Sequence, residues 1–125
     1  MIKNIIRFIL LLILFGSMST IAQNSDDAQK QREEFEQQAL EKLNERIQLF
    51  LATLEIDDFQ KEIIKQKLDS YYNKKKVIFM DRSLKDYERD ERLMALDNNH
   101  FLDIKNMISE DTMNQIQLFI KDAGT

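Results

Sequence analysis

The chain has 125 residues, room for one domain, and carries 22 acidic against 18 basic residues for a net charge of −4. That balance argues against a nucleic-acid binder or a protein held to anionic membranes by charge. With no cysteine there is no disulfide framework, so stability must come from packing, alone or with a partner subunit.

Met1 to Ala22 reads as a secretory signal peptide. Lys3 and Arg7 form a positive n-region, Phe8 to Phe15 is unbroken and apolar, and Thr20-Ile21-Ala22 offers a cleavage site. The rival reading is a retained membrane anchor. A spanning helix needs about 20 mostly apolar residues, and this run breaks at Gly16-Ser17. Cleavage is therefore the expectation, and it implies a periplasmic or secreted protein with no membrane attachment afterwards. No cysteine follows the apolar run, which rules out a lipid-anchored lipoprotein. Without Lys3 and Arg7 the remaining chain, 23–125, is more acidic still.

That remainder has no proline, and its only glycine is Gly124. With Glu, Lys, Gln, Leu and Met abundant and no period-two alternation, an all-α domain is expected. The first helix is predicted over 27–53. Its early part is polar, then Leu40, Leu43, Ile47, Phe50 and Leu54 recur at three- and four-residue steps, a coiled-coil-like seam widened by Phe35, Ala39 and Leu51. The second helix is predicted over 57–79. Ile56, Asp57 and Gln60 form a capping box, in which Asp57 accepts from the Gln60 N–H and the Gln60 amide reaches back to Asp57. Phe59, Ile63, Ile64 and Leu68 follow at helical spacing, extended by Tyr71, Tyr72, Ile78 and Phe79.

The third helix is predicted over 83–107 with Ser83 as its cap, although 81–92 is charged enough to be read as helix or loop. Tyr87, Met94, Phe101 and Ile108 recur every seventh residue, with Met80 upstream, as a core or dimer seam. Asp97-Asn98-Asn99 is its weakest point. The fourth helix, 109–122, opens on Ile108 and Ser109, with Ile108 placed to staple onto Met113. The expected architecture is four helices in an elongated antiparallel hairpin, assembled as a cradle-like homodimer.

Two helix starts of the form apolar, short acceptor, two variable residues, amide, about fifty residues apart, resemble the LTxxQ-motif (Spy/CpxP-like) family of periplasmic proteins. The motif's Leu, Thr and Gln fall on Ile56, Asp57 and Gln60; in the second copy its Leu and Thr fall on Ile108 and Ser109. Asp57 departs from Thr but also accepts from backbone. Thr112 stands where the second Gln belongs, and Lys61 leaves the first copy without a staple. The resemblance implies a thin helical dimer that holds unfolding envelope proteins without ATP, or that docks a membrane sensor or anti-sigma factor. Phe35, Tyr71, Tyr72, Phe79, Met80, Met94 and Met107 would then supply adaptable client or partner contacts. The family's best-known chaperone is basic on its cradle, whereas this chain is acidic. Lys61, Lys65, Lys67 and Lys74 to Lys76 could still form one local basic face.

No nucleophile, base and orienting group can be assembled, and there is no Gly-rich phosphate loop, so neither an enzyme nor a cofactor is expected. His100, the only histidine, has Asp97 and Asp103 three residues to either side. One histidine without cysteine falls short of a metal motif, and no metal ligand is assigned. A periplasmic metal-responsive sensor stays as the minor alternative.

Overall fold

The computed structural model describes residues 25–122, and among them the chain is all-α. Four α-helices, α1 (Ser25–Thr53), α2 (Asp58–Met80), α3 (Asp86–Asn99) and α4 (Glu110–Asp122), are joined by short connections, one of which holds a 3-10 turn at Leu102–Ile104. The leader, and the stop expected at Gly124, lie outside the described residues. Residues 25–48 and 121–122 belong to one compact unit and Leu49–Ile120 to a second. None of the described helices is long and apolar enough to cross a membrane.

Both helix starts read from the sequence are present, but only one arm of the first box forms. Asp57 has extended backbone (φ −73°, ψ 165°), and its Oδ1 accepts from the Gln60 N–H at 2.7 Å. The Gln60 side chain does not turn back to Asp57. Its Nε2 donates to the Met107 carbonyl at 2.8 Å, 47 positions along the chain. That carbonyl lies in the connection ahead of α4, and Gln60 ties the two helix starts together. At the second start the Ser109 Oγ accepts from the Thr112 N–H at 3.1 Å and donates to the Thr112 Oγ1 at 2.9 Å. Thr112 is buried, and a short hydroxyl satisfied by its own cap suits that position better than an amide. Asp57→Ala should lower stability by about 1 kcal/mol, while Asp57→Ser keeps most of it, read from urea unfolding followed by circular dichroism.

The α2–α3 connection departs from expectation. Ser83 does not cap α3; its N–H and Oγ both donate to the Asp81 Oδ1, at 3.0 and 2.5 Å. An ionised carboxylate is the stronger acceptor, so the serine closes an Asx turn instead of opening a helix. These two bonds hold the Asp81 carboxyl below its ordinary range, the Ser83 hydroxyl most of all. α3 then begins at Asp86, where Glu88 accepts from the Lys85 N–H at 3.1 Å.

The third helix also ends early, at Asn99 rather than 107, and the break falls on the Asp97-Asn98-Asn99 weak point. The polar pair favours local backbone bonding over helix continuation, and a 3-10 turn carries Phe101 and Ile104 inward. The seven-residue line is thereby undone: Phe101 is buried, whereas Met80, Tyr87 and Met94 are exposed. A period of seven marks one face only while the helix is unbroken.

The core of the Leu49–Ile120 unit takes Leu51 from the end of α1, Leu54 just beyond it, and the stripe Ile64, Leu68 and Tyr71 from α2. Leu93, Phe101, Ile104, Ile116 and Ile120 complete it. Each fully buried side chain of this size contributes roughly 1.5–3 kcal/mol. Phe50 and Phe119 stack with ring centroids 4.3 Å apart. Phe59, expected on the buried stripe of α2, is instead 70% exposed. The predicted seam is buried at Ile47 and Leu51 on α1 and at Leu54 just beyond it, but Phe35 and Leu40 are exposed.

Candidate functional site

A polar cluster closes the core where α2 meets the end of α3. The Tyr71 hydroxyl donates to the Asp97 Oδ1 at 2.5 Å. The Lys67 carbonyl lies 2.8 Å from the His100 Nε2, and the Lys74 Nζ lies 3.3 Å from its Nδ1. A carbonyl can only accept and an ammonium can only donate. His100 is therefore the neutral Nε2–H tautomer, with Nδ1 accepting from Lys74. Lys67 adds a 2.6 Å ion pair with Asp103, and Lys75 sits over the Tyr71 ring, 5.6 Å from its centroid. The Lys67–His100, Tyr71–Asp97 and Asp81–Arg89 links fall in opposite order along α2 and α3 with their C-terminal caps Asp81 and His100. Burial, more than the Asp97 hydrogen bond, pushes the Tyr71 phenol well above its ordinary range. Burial also pulls His100 and Lys75 below theirs, and for His100 the Lys67 and Lys74 charges add to the effect.

The three side chains considered as metal ligands are thus each engaged elsewhere: Asp97 with Tyr71, Asp103 with Lys67, and His100 at both nitrogens. Among the described residues no group of three or more His, Asp or Glu could hold a metal ion. The lysine face is also partly neutralised, since Lys65 pairs with Asp69 at 3.1 Å and Lys67 with Asp103.

The contact residues named from the sequence divide by exposure. Tyr71, at 1% exposed, is a core residue packed against Tyr72, His100 and Phe101, and burial withdraws it from any contact surface. Tyr72 and Phe79 are half-buried, as are the motif residues Ile56 and Ile108. Phe35, Met80, Met94 and Met107 are exposed. The sequence reading missed Val77, which is 69% exposed although it lies on the same helix as the buried stripe. Its position between Lys76 and Ile78 gave no signal of this.

Val77 belongs to a shallow groove of about 590 Å³ between α2 and α3, open to solvent. Val77 and Ile78 line it from α2, Ala95 and Leu96 from α3, and Lys74 and Arg92 contribute one cation from each helix. Comparison of the chain with protein-family models, with curated proteins and with solved structures finds no match.

Proposed function

We propose that this chain is an exported helical binding protein of the LTxxQ kind, working in the periplasm as an ATP-independent holdase for unfolding envelope proteins. One observation carries the reading. In the Leu49–Ile120 unit, Phe59, Val77, Met80, Tyr87 and Met94 are each more than half exposed, although the unit has a core of its own. Large apolar side chains held outside a completed core offer a surface for association where they adjoin one another. Methionines among them suit partners of varied shape, because the side chain adapts at small cost. The export signal, the two helix starts and the resemblance they carry support the location. In this reading the helices form an elongated hairpin that pairs with a second copy as a cradle-like dimer.

A second reading is a dedicated module that docks one membrane sensor or anti-sigma factor, and the groove between α2 and α3 favours it. The metal-responsive reading draws no support from a histidine whose two nitrogens are already engaged.

Light scattering of a thermally unfolding client separates the two readings. The holdase suppresses scattering of unrelated clients at a few-fold molar excess. A dedicated module leaves them aggregating and gives one saturable partner in an envelope pull-down. No suppression with any of several clients removes the holdase reading.

A further inference from the structure

We infer that the α2–α3 groove docks a protein segment carrying aliphatic side chains flanked by carboxylates. The inference deepens the binding-protein reading above and rests on it for the kind of partner, a polypeptide. The groove is open to solvent, which suits an extended segment better than an enclosed small molecule. Its floor, Val77, Ile78, Ala95 and Leu96, is aliphatic, and nothing among the described residues covers Val77.

Charge decides the occupant. Lys74 and Arg92 belong to the lining, where long basic side chains can lay their aliphatic stems along apolar surface. The Arg92 guanidinium forms no hydrogen bond or ion pair among the described residues, so its planar fork is available to a carboxylate in the bidentate manner. Asp81, the acid whose titration the Arg92 charge perturbs, already accepts twice at Oδ1 from Ser83. Lys74 uses one of its three donors on His100 and keeps the others. On a chain whose net charge is −4, acidic partners are repelled in general. The Arg92 guanidinium beside an aliphatic floor therefore selects locally for what the rest of the surface rejects.

The test uses the full chain and two labelled amphipathic peptides, one built from Leu and Glu, the other with Lys replacing every Glu. Fluorescence anisotropy should show the acidic peptide binding at least about tenfold tighter at low salt, with the preference shrinking as salt screens it. Arg92→Glu should abolish that preference, and Val77→Ser, a neutral change at an exposed position, should weaken both peptides. Lys105→Glu, the same charge change at an exposed site outside the groove, should leave the preference intact. Equal binding of both peptides overturns the inference, as does an Arg92→Glu effect no larger than that of Lys105→Glu. Suppression of client aggregation by a protein that binds neither peptide overturns the groove assignment and leaves the holdase standing. Acidic-peptide binding without suppression upholds the groove and overturns the holdase.

Discussion

Tyr71→Ala is expected to be the most damaging single substitution in the Leu49–Ile120 unit, costing about 3–5 kcal/mol. The ring is 1% exposed and meets Tyr72 edge-on at 5.0 Å, Phe101 at 5.6 Å and His100 at 5.9 Å. Truncation leaves a cavity among these three side chains and removes the donor to Asp97. Small domains have roughly 5–15 kcal/mol of stability in total, so a loss of this size takes a large share of it. Tyr71→Phe keeps the ring and loses the hydroxyl, and should cost about 1–2 kcal/mol. Tyr87→Ala, at an exposed position on α3, should fall within about 0.5 kcal/mol of the parent. Urea unfolding of the three variants gives the comparison, and equal midpoints for Tyr71→Ala and Tyr87→Ala would contradict the packing described. The phenol adds an alkaline signature. Its titration is pushed upward on folding, so its contribution is complete below the ordinary tyrosine value near pH 10 and declines as pH rises through the folded-state value.

Acidification through the histidine range should weaken the fold, and His100→Gln should remove most of that dependence. Burial is the main reason His100 resists protonation, and the Lys67 and Lys74 charges act in the same direction. The Lys67 carbonyl and the Asp103 carboxylate act the other way and do not prevail. A second proton would sit on Nδ1, aimed at the Lys74 ammonium 3.3 Å away. Because the folded state holds His100 below its unfolded value near 6.5, the unfolded chain binds more protons at mildly acidic pH. Stability is therefore complete above about pH 6.5 and falls as pH drops through that value towards the folded one. Asp81 and Asp103 are also held low and contribute in the same sense, but only in the carboxylate range below. The chain has a single histidine, so its NMR titration needs no assignment. Lys74→Met should raise the His100 titration midpoint towards the ordinary value. An unchanged midpoint in that variant, or a parent midpoint above 6.5, would refute the tautomer and charge arrangement.

The helices were legible because every local signal agreed: no breakers, strong helix formers, and acceptor side chains at Asp57 and Ser109 where the chain turns. The stripe Ile64, Leu68 and Tyr71 could also be read, since its spacing is helical over an unbroken helix. The errors fell where a side chain had two options close in energy. Gln60 could reach back one turn or across to Met107, and the choice depends on a carbonyl 47 residues away. Ser83 could accept from a helix start or donate to Asp81, and the carboxylate prevailed. The seven-residue line from Tyr87 to Ile108 assumed continuity through Asn98-Asn99; the break there separates Phe101, which enters the core, from Tyr87 and Met94, which stay on the exposed face of α3. The groove had no sequence signature at all, because it is formed by residues some twenty positions apart, with Lys74 and Val77 facing Arg92 and Leu96.

The exposed apolar side chains are the heart of the functional account, and replacing them tests it most directly. Met80→Ser, Tyr87→Ser and Met94→Ser combined alter the surface and leave the buried set untouched. The account predicts a protein with parental helix content and thermal midpoint that no longer suppresses scattering of an unfolding client. Full suppression by that triple variant would show that these side chains are not the gripping surface.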